Sequence, residues 1–184
     1  MRPISEMTIE ELRELAAKDP KTPQERYEKA VGALRDADSP YSRWCALGAA
    51  AKTSVEIGSD TDAEAYALEL RQLAPGYEDD WNYGNAIQDF NLVLGRLCLK
   101  RGDGDRAREH LLEAGRSPGS PQMDSFGPNM SLAKTLLEAG HPDVVLQYFE
   151  LCRRFWRMDN GQLDQWSREI EAGTFPNFGA KLIY

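Results

Sequence analysis

Apolar residues recur at three- and four-residue spacings, in blocks separated by clusters of Gly, Pro and Asp. That is the pattern of amphipathic helices joined by tight turns. It is clearest over residues 88–121, where Leu92, Val93, Leu94, Leu97, Cys98 and Leu99 mark the buried face of one helix. Arg101-Gly102-Asp103-Gly104-Asp105 stops that helix. Gly102 suits the left-handed position that closes a helix, and Asp103 or Asp105 can cap the next one. Ala107, Leu111 and Ala114 line a second helix over about 106–114, ended by Gly115, Pro118, Gly119 and Pro121. Gly95 in the first helix and Ala107 in the second are small, so the two axes are expected to cross closely there.

The same arrangement recurs on both sides. Thr8, with Glu11 three residues on, reads as the capped start of a helix over 8–18, and Pro23 opens another that runs to about Ala37. Helices over about 41–57 and 63–73 follow, divided by Gly58 and closed by Pro75-Gly76. Residues 77–87 are expected to extend the first helix of the central hairpin upstream, with Trp81 and Tyr83 packing on the preceding pair. After the loop, Met130 to Leu137 and Val145 to Cys152 form a further pair around Gly140, its second helix expected to continue to about Arg157. Leu163, Trp166 and Ile170 mark a last helix, over 160–173, and the apolar tail 174–184 is expected to dock on its own domain. The expectation is a single all-α domain over 1–184 of about nine helices and no strands. Its hairpins would span about 8–37, 41–75, 79–116 and 127–157.

The order of small residue, turn Gly, Ala, aliphatic residue, Ala and Pro resembles the tetratricopeptide repeat. In this chain it is carried by Gly95, Gly102, Ala107, Leu111, Ala114 and Pro118, and again by Ala51, Gly58, Ala63, Ala67 and Pro75. Asn91 stands where the family has its early Trp, and Cys98 where it has its mid-helix Tyr. The turn glycines Gly58, Gly102 and Gly140 lie farther apart than the family's period of about 34 residues. The resemblance implies a short right-handed solenoid of three to four antiparallel hairpins with a concave groove that holds a protein or peptide. Residues 119–184 also resemble segments found in bacterial proteins, a likeness that names no activity.

Within that frame, the residue six before each turn glycine is a cation: Lys52, Arg96 and Lys134. The resemblance places this helix line on the concave face, so these three are the candidate partner-binding residues. Lys52 and Lys134 have acids four residues on, Glu56 and Glu138, whereas Arg96 has Lys100. Arg96 is therefore expected to be the most available of the three. The irregular stretch 117–128 carries Met123 and Phe126, which look exposed. It reads either as a plain insertion between repeats or as a lip over the groove, and in the second case both residues join the partner-binding set.

Composition narrows the function classes. Hydrophobic residues make up 41% and charged ones 28%, which is ordinary for a globular domain. The net charge of −8 argues against nucleic acid and permits a basic partner. The acid excess lies in residues 40–80, whereas 81–126 are balanced. No stretch approaches the ~18 apolar residues of a membrane span, and no apolar signal core opens the chain, so a cytoplasmic protein is expected. Cys45, Cys98 and Cys152 are too far apart for a metal knuckle and odd in number, so they are expected to be buried small hydrophobes. The two histidines, His110 and His141, belong to no metal or catalytic motif, and Gly102 to Asp105 lacks the ligand series of a calcium loop. The residues thus point to no catalysis, metal or cofactor. Two functions lead, with an enzyme as the weakest third: a groove that binds a protein or peptide, or an acidic inhibitor or immunity-type protein. The second would present Asp60, Asp62, Glu64, Asp79 and Asp80 to a basic toxin or enzyme.

Overall fold

The computed structural model describes residue 8 and residues 22–182. The helix expected over 8–18 lies outside the described residues, apart from Thr8. The described residues form nine α-helices and no strand, in line with the all-α pattern. They are α1 (Pro23–Arg35), α2 (Pro40–Ile57), α3 (Asp60–Leu73), α4 (Tyr83–Lys100), α5 (Gly104–Gly115), α6 (Pro121–Phe126), α7 (Ser131–Glu138), α8 (Pro142–Cys152) and α9 (Gln162–Glu171), with 3-10 turns at Ala74–Gly76 and Gly179–Leu182.

The boundaries follow local chemistry. Thr22 and Glu25 form a capping box ahead of α1, and Ser39 and Ser42 form one ahead of α2. Gly58 closes α2 at φ 80°, and Gly102 follows α4 at φ 83°. Asp103, rather than Asp105, caps α5 by accepting the N–H of Arg106 at 3.1 Å.

Successive helices pack as neighbours. Helix α2 lies against α1, α3 and α4, while α4 also touches α3, α5 and α7. Helix α5 meets α7 and α8, and α8 meets α7 and α9. Two apolar clusters result. Trp44, Leu47, Leu70 and a set of alanines from α2, α3 and α4 build the first. Leu111, Leu132, Leu136, Tyr148, Phe149, Trp156 and Trp166 build the second, with Phe178 of the tail. Each fully buried Leu or Phe contributes roughly 1.5–3 kcal/mol by leaving water. The close crossing expected at Gly95 is present. A methyl group there would stand 3.0 Å from Cβ of His110 and 3.4 Å from the carbonyl of Ala107, and would overlap the side chain of Leu132.

Five sequence expectations change. Helix α4 starts at Tyr83 rather than near residue 77, because two successive turns, closed by N–H bonds from Asp80 to the Tyr77 carbonyl and from Tyr83 to the Asp80 carbonyl, precede it. Helix α8 stops at Cys152 rather than near Arg157, because Phe155 and Trp156 turn inward and are buried. Trp81 is 61% exposed instead of packed on the preceding pair; Tyr83 makes that contact. Met123 is only 3% exposed, because the stretch around it folds into α6 and drives it into the second cluster. Cys152 is buried as expected, but Cys45 is exposed, since it points away from the Trp44 side of α2. The tail docks through Phe178, whose ring meets Trp166 edge-on at 5.0 Å, while Phe175 stays exposed.

Candidate functional site

Three of the five candidate residues, Lys52, Met123 and Phe126, line one cleft of about 470 Å³. Its floor is α2 and α4; its far wall is the 120s segment with the last 3-10 turn. Rather than an open lip, that wall is pinned at several points. The Ser117 hydroxyl donates to the Gly84 carbonyl at 2.7 Å and accepts the Gly119 N–H at 3.1 Å. A methyl group on Gly84 would overlap the carbonyl of Gly119, so the two backbones touch only because residue 84 is glycine, while a methyl group on Gly119 would run into Phe155. Ser120 caps α6 by accepting the Met123 N–H at 3.0 Å. The Asp124 carboxylate accepts the side-chain fork and the backbone N–H of Arg157, which holds its carboxyl below the usual carboxylate range. Behind it, buried Gln88 accepts the Asn129 N–H at 3.2 Å, and the Tyr148 hydroxyl donates to the Asn129 carbonyl at 3.2 Å.

The tail completes the wall. Lys181 donates from Nζ to the Phe126 carbonyl, and its ammonium lies 4.8 Å from the centroid of the Trp156 ring. Its own carbonyl accepts the Met130 N–H at 2.8 Å. Burial pushes the Lys181 ammonium down from its ordinary pKa. Phe126, at the C-terminus of α6, is left 69% exposed at the rim.

A chain of amides faces the same cleft. Asn85 Nδ2 donates to Asn82 Oδ1 at 2.7 Å and to Gln122 Oε1 at 3.2 Å, while Ser120 donates to Asn85 Oδ1 at 2.8 Å. Both neighbouring amides are thereby oriented with oxygen toward Asn85 and nitrogen away from it. The side-chain N–H groups of Asn82 and Gln122 make no hydrogen bond among the described residues. Asn82, Asn85, Gln122 and Lys181 went unrecognised in the sequence. The spacing of Asn82 and Asn85 by three was a visible signal; the approach of Gln122 and Lys181 was not.

Along α4, Asn85, Asp89 and Arg96 are spaced by four and seven residues and so share one line of the helix. Lys52 Nζ meets Asp89 at 2.8 Å, and Glu56 takes the Arg26 guanidinium at 3.1 Å. Arg96 lines a second, smaller recess with Val55 of α2 and Thr135 of α7. Lys134, beside Thr135, pairs with Glu138 at 2.5 Å, as its spacing suggested. Arg96 has an interaction of its own within the chain, so it is not the unengaged cation that its neighbour Lys100 implied. Lys100 itself pairs with Asp60 at 2.5 Å.

The acids named for an inhibitor surface are largely engaged. Glu64 takes both arms of Arg101, at 2.7 and 2.6 Å, which lowers its carboxyl pKa. Asp62 accepts from Ser59 at 2.7 Å and from Tyr27 at 3.4 Å. Asp80 accepts the Tyr41 hydroxyl at 3.0 Å and the Asn82 N–H at 2.8 Å, which pushes the Tyr41 phenol up to about 12. Among the described residues, no three His, Cys, Asp or Glu side chains gather as a metal site would require. No described helix is long and apolar enough to cross a membrane. No protein-family model matches the chain, nor does any curated protein or solved structure match it significantly.

Proposed function

We propose that the chain is a non-catalytic binding module that holds an extended peptide segment of a protein partner in the cleft between α2, α4 and α6. The observation that carries this reading is the amide chain. Two N–H donors, fixed in orientation by Asn85, stand in a cleft beside an exposed aromatic side chain. An extended peptide offers main-chain carbonyls to such donors and a side chain to Phe126. The pinned wall keeps these groups in place before binding, which lowers the ordering cost.

The tetratricopeptide-like arrangement belongs to the same reading. Hairpins α2–α3, α4–α5 and α7–α8 follow one another, and their first helices contact in the order α2, α4, α7. That order favours a short solenoid whose inner face includes Lys52, Arg96 and Lys134, with Arg96 and Lys134 extending the peptide path beyond the cleft. The inhibitor reading is weaker, because Asp60, Asp62, Glu64 and Asp80 already hold partners within the chain.

The test is fluorescence polarisation with randomised decapeptide pools. Phe126→Ala and Gln122→Ala should each weaken pool binding by about fivefold or more, near 1 kcal/mol of lost contact. Arg96→Ala should weaken it more than Lys52→Ala or Lys134→Ala, because a guanidinium fork binds a carboxylate in two-point fashion. Binding indifferent to Phe126 and Gln122 would remove the cleft from the proposal.

A further inference from the structure

Beyond one end of the cleft lies a second exposed surface. Cys45, on the cleft floor, is one helical turn from Tyr41, and Asn82 is next in sequence to Trp81. Tyr41 is 46% exposed and Trp81 61%, whereas Trp44, Trp156 and Trp166 are buried. The two exposed rings are carried on a rigid base. Tyr77 stacks on Trp44 with ring centroids 4.4 Å apart and lies 5.9 Å from Tyr41. The turn that carries Trp81 is closed by N–H bonds from Asp80 to the Tyr77 carbonyl and from Tyr83 to the Asp80 carbonyl, both 3.0 Å. Tyr41 is tied to the same turn through Asp80.

The charge around these rings has one sign. Residues 36–45 and 77–85, which form this corner, contain Asp36, Asp38, Glu78, Asp79 and Asp80 against Arg43 alone. Arg43 is already bound to Glu69 of α3. Glu78 and Asp79 are exposed and make no ion pair among the described residues. Exposed aromatic faces attract a cation through their quadrupole, and neighbouring carboxylates add to that attraction. An acidic segment would be repelled here, and a neutral apolar one would leave the carboxylates uncompensated.

We infer that the segment held in the cleft is basic, and that one of its arginine or lysine side chains lies on Tyr41 and Trp81 between Glu78 and Asp79. This rests on the cleft being a peptide site and adds the chemistry of its occupant. The cation leaves the cleft at the Asn82 end, while the chain it belongs to continues past Asn85 toward Phe126.

Fluorescein-labelled decapeptide pools, random except for one fixed Arg, Lys, Gln or Glu, test it by polarisation. Wild type, Trp81→Ala and the double variant Glu78→Gln, Asp79→Asn are compared. The Arg and Lys pools should bind about fivefold tighter than the Gln pool, the scale of one cation–aromatic contact with its charge partner. In both variants that preference should fall to near unity while affinity for the Gln pool is kept. Trp81 is the exposed tryptophan of the four, so acrylamide quenching should drop when an Arg pool is added. Binding with no preference for a fixed cation, or a preference that survives both variants, overturns the inference and leaves the cleft intact. Failure of every pool to bind overturns both.

Discussion

The two ends of the molecule hold their helices together by different means. In α1 to α4 the core is rich in alanine: Ala50, Ala51, Ala63, Ala67, Ala74 and Ala86 let the axes lie close. Ion pairs then join one helix to the next: Arg26–Glu56 from α1 to α2, Arg43–Glu69 from α2 to α3, Lys52–Asp89 from α2 to α4, and Asp60–Lys100 from α3 to α4. In α5 to α9 the core is built from Tyr148, Phe149, Phe155, Trp156 and Trp166, and many ion pairs stay within one helix or its cap, such as Lys134–Glu138 and Arg116–Glu113. Small residues bury little area each, so the first half relies on fit and on charges placed across helices. Large rings bury much more, so the second half can spend its charges locally.

The comparison can be broken from the aromatic side first. Trp166 touches Phe149, Trp156 and Phe178, so Trp166→Ala should cost about 3–5 kcal/mol and release the tail. Urea unfolding measures it; a loss below ~1 kcal/mol would mean that the rings carry little of the second core. From the alanine side the sign of the volume change reverses. Ala51→Leu, at a fully buried position of α2, should cost about 1–3 kcal/mol by overpacking, and Gly95→Leu should fall in the same range. Neutral behaviour of Ala51→Leu would show that the first core has slack. The smallest effect separates the ion pairs. Raising salt from ~0.1 M to ~1 M shortens screening to about 3 Å. It should therefore lower the stability contributed by the cross-helix pairs of α1 to α4 by well under 1 kcal/mol per pair, since they are partly exposed. An Arg43→Gln, Lys100→Gln variant should show less of that salt dependence in thermal melts.

The same contrast explains what the sequence made legible. Periodicity, caps and turn glycines are local, so α2 to α5 and the crossing at Gly95 could be read directly. The 120s segment could not, because its order comes from distant partners: Gly84 beneath Gly119, Arg157 across from Asp124, and Lys181 on Phe126. Met123 looked exposed because its burial depends on those contacts. Lys52, Arg96 and Lys134 were found by their equal distance from turn glycines. The amide chain required Asn85 and Gln122 to meet, and no spacing in the sequence encodes that contact.

Helix α4 belongs to both cores. Leu92 faces the aromatic cluster, while Val93, Leu94 and Leu97 face the alanine cluster. Neither half can therefore open without stripping one side of the same helix. Local opening and global unfolding should then become a single event for the amides of α4, and among the described residues their hydrogens should be the slowest to exchange with solvent.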